Sequence, residues 1–441
     1  MHRFFGSVGL IFAASSLVGC TDADPTWHQD VAPIVAENCA GCHTDGKIAP
    51  FTLDTYAQVA PIADWLATTT EAGTMPPWGA QDTDECDPPA AWKHDRRLTE
   101  DQIATLRAWA DAGAPEGDPA TAADLPNPVV DKLTGETRNL EPEAAYVTSG
   151  TEDQFICFVL DPGNDAPEWM TGLQVNPGNQ QVVHHALIFT DATAASADLA
   201  DEDGKFECFG SPGIGEYELV GAWAPGAAPM ETPTGAAMLL AADGLLVMQI
   251  HYHPVGEVAD PDVTTIDIRT QPTFPGTRAT MALVGNARNA NQGLMAGPND
   301  AGDEPEFRIP AGARGHTETI RIPVDDTYPV WAAGTHMHYV GTDMKISLEK
   351  PDGSEQCLVQ TPAWDFNWQR WYDYDAPLAD VPTIEPGDTL VLRCTYDNSL
   401  DNPFVREALQ QQGMDAPADV LLGDETLDEM CLGVFGVAIE L

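Results

Sequence analysis

Three pairs of closely spaced histidines, His184-His185, His251-Tyr252-His253 and His336-Met337-His338, follow a Cys39-Ala-Gly-Cys42-His43 segment in a chain with only 11 histidines. This clustering constrains the fold more than any other feature, because imidazoles from distant points must be delivered to a few shared places. Two cysteines at this spacing form thioethers to the vinyl groups of a porphyrin, and the adjacent imidazole then stands as axial ligand to its iron. Imidazole is also the commonest neutral metal ligand, and histidines at i and i+2 on a strand present both rings to one face, which suits copper or zinc. Seven of the 11 histidines lie in these four clusters, and the chain reads as one that holds both iron and copper.

A length of 441 residues with 43% hydrophobic content accommodates about two to four domains with full cores. The excess of 69 acidic over 20 basic residues gives a formal charge of −49, which repels polyanions and argues against a nucleic-acid partner. Residues 1–20 read as a secretory signal, with Arg3 as the positive start and an apolar run too short to span a bilayer permanently. Its end, Leu17-Val18-Gly19-Cys20, resembles a bacterial lipobox, in which Cys20 is lipidated and becomes the first mature residue. The expectation is an exported protein of the bacterial cell envelope, periplasmic or on the outer membrane, held to the membrane through a lipid anchor. Setting aside Cys20, Cys39 and Cys42 leaves Cys86, Cys157, Cys208, Cys357, Cys394 and Cys431. Three disulfides suit an oxidising compartment, and spacing alone leaves fifteen connectivities open.

Residues 21–118 read as a small helical domain. Apolar residues at three and four spacing predict helices over Trp27–Glu37 and Glu100–Ala112, the latter capped by Thr99 and stopped by Gly113 and Pro115. Between them, Gly73-Thr74-Met75-Pro76-Pro77-Trp78 is an extended loop able to present the Met75 thioether to iron opposite His43, although a methionine beside a turn can also be core. His28 and His94 are isolated and lie in no comparable loop. Nearly all of this segment resembles the small class I cytochromes c. That resemblance implies one covalently attached haem c on Cys39, Cys42, His43 and Met75, with an electron donor as its partner.

Residues 119–144, rich in Ala, Pro, Asp and Asn, read as a linker. Beyond them come short β-rich runs such as Phe155–Leu160, Gln181–Thr190, Gly244–Tyr252, Glu318–Val324, Met344–Leu348 and Thr389–Tyr396, separated by Gly, Pro and Asp turns. This spacing predicts two antiparallel sandwiches, over residues 145–275 and 276–441. The motifs Val183-His184-His185, Met248-Gln249-Ile250-His251-Tyr252-His253, Gly334-Thr335-His336-Met337-His338 and Asp428-Glu429-Met430-Cys431 occur in an order that resembles the type II copper, ascorbate-dependent monooxygenases. The fold expected is multidomain: a small all-α cytochrome c domain followed by two all-β jelly-roll-like sandwiches, each with one copper.

What the resemblance implies, residue by residue, is an electron-donating copper on His184, His185 and His251, with His253 a non-ligand neighbour, although spacing alone would pair it with His251. It implies an oxygen-activating, catalytic copper on His336, His338 and Met430, whose soft thioether favours Cu(I). It pairs Cys394 with Cys431 and Cys157 with Cys208, and Cys86 with Cys357 remains. Adjacent residues on a regular strand face opposite ways, so using both His184 and His185 requires a local distortion.

The chain departs from the family at Gly334, where the peptide-processing member has an arginine that grips a substrate carboxylate, and at Val434, where that member has a tyrosine. The missing guanidinium argues against C-terminal glycine peptides as substrates, and the valine implies a less polar pocket at the second copper. Trp364, Phe366, Trp368, Trp371 and Tyr372 form an aromatic cluster fit for a core or for an apolar cleft. The function expected is hydroxylation of a C–H bond of a small substrate with O2, using two copper ions. Electrons would come at least partly through the haem, beside or in place of ascorbate or another reductant. The alternative is a non-catalytic haem and copper electron-transfer lipoprotein.

Overall fold

A computed structural model describes residues 24–439 apart from 46, 48, 130, 151, 255–259, 287–292, 301–303 and 424–427. The expected signal segment and Cys20 lie outside the described residues.

The first segment is helical. A π turn at Trp27–Val31 runs into the helix Ala32–Asn38, and a second long helix covers Glu100–Asp111. Thr99 caps the latter: its hydroxyl accepts from the Gln102 amide at 3.2 Å, while the Gln102 side chain accepts from the Thr99 amide at 2.9 Å. Leu106 and Trp109 on this helix pack with Trp27, Val31, Val35 and Leu66 into a separate small core. Two further helices, Tyr56–Val59 and Ala63–Glu71, escape the periodicity argument. Pro61 interrupts them, and the run Thr68-Thr69-Thr70 has weak helix propensity, so tertiary packing of Val59, Leu66 and Ala67 must hold them.

The rest is mainly β. One sheet runs through Arg138–Leu140, Thr265–Gln271, Glu168–Asn176, Ala236–Leu240, Thr277–Gly285, Leu432–Ile439, Tyr328–His336 and Trp371–Asp373. A five-stranded sheet, in the order Lys205–Glu207, Gln154–Leu160, Leu245–Tyr252, Val183–Asp191 and Glu218–Trp223, packs on its first half. A four-stranded sheet of Arg314–Pro323, Thr389–Asp397, Gly341–Glu349 and Glu355–Thr361 packs on its second half. The two sandwiches therefore share a sheet, joined where Thr277 and Arg278 pair in parallel with Ala236 and Ala237. Arg138–Leu140, within the stretch read as linker, is an edge strand of that sheet. The second half also holds a helix at Pro403–Gln412, capped by the Asn402 side chain, which accepts from the Phe404 amide at 3.0 Å.

Disulfides join Cys86 to Cys357, Cys157 to Cys208 and Cys394 to Cys431. The first ties the helical segment to the four-stranded sheet. Among the described residues, no helix is long and apolar enough to cross a membrane.

Candidate metal centres and the cleft between them

His185 stands directly opposite His251 in the antiparallel pair formed by Val183–Asp191 and Leu245–Tyr252. The register of that pair shifts between Val183 and His185, and this bulge at His184 is the distortion that turns adjacent rings to one side. Nδ1 of His185 lies 3.1 Å from Nδ1 of His184 and 3.3 Å from Nδ1 of His251. One ligand atom from each of the three rings falls within 4.8 Å of the others. Burial holds His184 down to about 4 and His185 well below the ordinary imidazole range, so both are neutral near pH 7 and carry free lone pairs. Three basic nitrogens crowded this closely repel one another unless a cation sits among them, so the donor set fits a copper ion.

His253 stays outside this cluster and faces Asp153, whose Oδ1 lies 2.8 Å from His253 Nδ1. Oδ2 of the same carboxylate lies 3.0 Å from Nε2 of His251. Burial alone would raise the Asp153 carboxyl, but its two histidine partners outweigh this and hold it well below the usual range.

His336 ends the strand Tyr328–His336, and His338 lies two residues beyond it. His336 and His338 present rings 5.2 Å apart, while Met337 between them is fully buried in the core, as period-two alternation requires. His336 Nδ1 meets Gln369 Oε1 at 2.7 Å, and His338 Nδ1 meets the Asp428 carbonyl at 3.0 Å. Each contact fixes the tautomer with hydrogen on Nδ1 and leaves Nε2 as the ligand atom. Burial pushes the His336 imidazole down to about 3. Met430 is two residues before Leu432, the pairing partner of His336, so its thioether enters the same neighbourhood.

Glu429, which sequence reasoning passed over, organises this corner. Its fully buried carboxylate accepts the backbone N–H groups of His338 at 2.8 Å, Met430 at 2.9 Å, and Val340 and Gly341 at 3.1 Å each. Burial raises its pKa to about 8 against those four donors. Gln369 and Asp153 were also missed. Adjacency to Met430 was the only sequence signal for Glu429, and none existed for the other two.

Both clusters open on one cleft of about 620 Å³, lined among others by His185, His251, His336, His338 and Met430. Phe366 stands between them, its ring centroid 6.5 Å from that of His184 and 5.9 Å from that of His338. Trp371, Tyr372 and Val434 also line the cleft. Trp364 is buried and donates Nε1–H to the His338 carbonyl at 3.1 Å. At Gly334 an added Cβ would stand only 3.0 Å from Trp371 Cα and Cβ, so the aromatic strand fills the space a side chain there would need.

The helical segment supplies one wall through Trp78, Lys93, His94 and Arg96. Within it, Cys39 and Cys42 take part in no disulfide among the described residues, and the His43 amide donates to the Cys39 carbonyl at 2.9 Å. Burial pushes the Cys39 thiol up to about 12. His43 Nδ1 meets the Phe51 carbonyl at 3.1 Å, which leaves Nε2 available as a ligand atom. Phe51 and Trp65 pack edge to face beside it and remain 37% and 46% exposed, an open apolar surface of the kind a porphyrin covers. Met75 is half-buried on the turn after Ala63–Glu71, its amide donating to the Thr69 carbonyl at 3.3 Å. These features fit a c-type haem. His28 pairs with Glu116 and His94 with Asp131, so both rings are engaged elsewhere.

The chain is 24% identical over 282 residues to horse (Equus caballus) dopamine beta-hydroxylase, covering 62% of this chain and 44% of that protein. It is 23% identical over 283 residues to the bovine (Bos taurus) protein of the same name, again covering 62% and 44%. It thus spans less than half the length of these relatives. Among solved structures, a Paenibacillus xanthan lyase shares 11% identity over 67% of this chain and 25% of its own, with a TM-score of 0.17, which carries no argument. Residues 314–434, which carry His336, His338 and Met430, match the family described as copper type II ascorbate-dependent monooxygenase, C-terminal domain.

Proposed function

We propose that this chain is an exported copper-dependent monooxygenase that hydroxylates a C–H bond of a small organic substrate. The observation that carries this reading is that two histidine clusters, one accompanied by a thioether, face a single cleft. In the balanced reaction, substrate, O2, two electrons and two protons give the hydroxylated product and water. Copper bound at His336, His338 and Met430 would supply oxygen activation, and copper at His184, His185 and His251 would supply an electron. The chain's own part is to fix the ring tautomers through Gln369 and Asp428, to set the Asp153 carboxylate beside His251, and to exclude water with Phe366, Trp371 and Met430. A largely apolar wall, with Val434 where a polar group would otherwise grip the ligand, favours an apolar substrate.

The electrons arrive at least partly through a haem c on Cys39, Cys42, His43 and Met75, with ascorbate or another small reductant as a further source. Three disulfides favour an oxidising compartment. The lipobox-like Cys20 favours a lipid anchor in the cell envelope.

Metal content and oxygen consumption of the purified chain, with reductant and with His336→Ala as control, test the reading. One haem, two coppers and oxygen uptake lost in the variant are expected. Haem and copper with uptake unchanged in the variant would leave a non-catalytic electron-transfer protein, and no stoichiometric copper would remove the metal assignment.

A further inference from the structure

The helical segment is not merely beside the copper cleft; it is bonded to one side of it. Gly79 N–H donates to Tyr372 Oη at 3.1 Å, Gln81 N–H to the Gln360 carbonyl at 3.0 Å, Thr83 Oγ1–H to Gln360 Oε1 at 2.7 Å, and Lys93 N–H to the Asp373 carbonyl at 2.8 Å. Asp375 N–H donates back to the Ala91 carbonyl at 2.7 Å, and Cys86 is joined to Cys357. All these partners lie between residues 357 and 375, in the half that carries His336 and His338.

Within this seam one route is continuous. The Trp78 ring, three residues after Met75, lies 5.0 Å from the Tyr372 ring and 5.8 Å from the Arg370 guanidinium carbon. The next residue back, Gln369, holds His336 Nδ1 at 2.7 Å. Tyr372 pairs with Ala333 on the strand that ends in His336, which gives a second, backbone connection. His184 meets the same loop through the Phe366 ring, at 6.5 Å between rings, and through the Asn367 side chain, with His338 at 5.9 Å on the other side of Phe366. The guanidinium has a further role for so acidic a chain. Its Nε is buried with no hydrogen-bond partner among the described residues, and its Nη2 donates to the Pro225 carbonyl at 3.3 Å, so the cation is held against Trp78.

We infer that Trp78, Arg370 and Gln369 form an electron-entry route from the haem-binding segment into the His336, His338 and Met430 centre, rather than into the three-histidine centre. The inference rests on the haem and copper reading proposed above. In the step, one electron leaves a ferrous haem and one cupric ion becomes cuprous, and no bond is made or broken.

The test uses the full chain, matured with haem and loaded with Cu(II), under anaerobic conditions. A light-triggered one-electron reductant is flashed in, the haem absorption band reports reduction and reoxidation of iron, and the cupric EPR signal reports the acceptor. The reoxidation phase is expected to be lost in His336→Ala, retained in His184→Ala, slowed several-fold in Trp78→Leu and Gln369→Leu, and restored in Trp78→Phe. Recovery with phenylalanine separates a conducting ring from a structural role, and the Cys86 to Cys357 bridge keeps the segment attached in every variant. A phase that persists in His336→Ala and vanishes in His184→Ala, or is indifferent to Trp78→Leu, would overturn the inference and leave the function standing. A chain with no haem band or no bound copper would overturn that functional reading and the inference together.

Discussion

Asp153 sets Oδ2 at 3.0 Å from Nε2 of His251, on the side of the ring away from the Nδ1 that faces His185. A carboxylate behind a metal-facing imidazole fixes its tautomer and raises its basicity. Replacing Asp153 with asparagine keeps the volume and removes the charge. Copper affinity at the three-histidine centre is expected to fall about 10-fold to 100-fold, with the other centre unaffected. Competition with a graded chelator, read by metal analysis, checks this; equal loss from both centres would contradict the local role of Asp153.

Glu429 accepts four buried backbone N–H groups around His338 and Met430. In Glu429→Ala those donors lose their acceptor in a buried site, at a cost of about 1–3 kcal/mol for an unsatisfied group, with more than one affected. The variant is expected to unfold several kcal/mol earlier in denaturant, roughly 3 kcal/mol or more on that basis. It is also expected to retain copper only at His184, His185 and His251. Denaturation midpoints and copper stoichiometry provide the check, and a variant with two tightly bound coppers would refute the clamp.

How much of this could be read from the chain depends on what each residue needs for its position. His336 and His338 obey the two-residue period of a strand, so their shared face was legible, as was the need for a distortion at His184. The bulge itself depends on how Val183 and His185 register against Tyr252 and His251, a relation between segments some 60 residues apart that no local pattern encodes. The same holds for Gln369 and Asp153, which act from loops distant in sequence. The helix Ala63–Glu71 was illegible because its threonines oppose helix formation and its stability comes from burial of Leu66 and Ala67. The joined sheet was illegible too, since the parallel contact of Thr277 with Ala236 is a tertiary event.

His94, in the cleft wall, pairs through Nδ1 with Asp131 Oδ1 at 2.7 Å, and Arg96 bonds the same carboxylate. Its hydrogen bond to Asp131 raises the His94 pKa above the ordinary value of about 6.5. A raised folded-state pKa means that the pair's stabilisation is fully present below the unfolded value and is lost as pH rises through the folded one. His94 sits at φ 54°, a conformation that asparagine tolerates. The difference in melting temperature between the protein and His94→Asn is therefore expected to be largest in mild acid and to shrink as pH rises past neutrality. A difference that grows with pH would contradict the pairing.

The Cys86 to Cys357 bridge closes a separation of 271 residues and fastens the helical segment where Thr83 and Gln81 already bond Gln360. A cross-link of such long range restricts the unfolded chain strongly, and loss of a native disulfide typically costs about 2–5 kcal/mol. The backbone bonds from Gly79, Gln81 and Lys93 remain in the double variant Cys86→Ser, Cys357→Ser, so the native seam should still form. What changes is cooperativity: the small helical core around Leu106 and Trp109 is separate from the β core and is no longer covalently tied to it at that point. The variant is expected to lose haem-segment structure before the sheets unfold, so that haem absorbance and far-ultraviolet circular dichroism give separate midpoints in denaturant. Coincident midpoints at the original position would show that the non-covalent seam alone makes the two cores unfold as one.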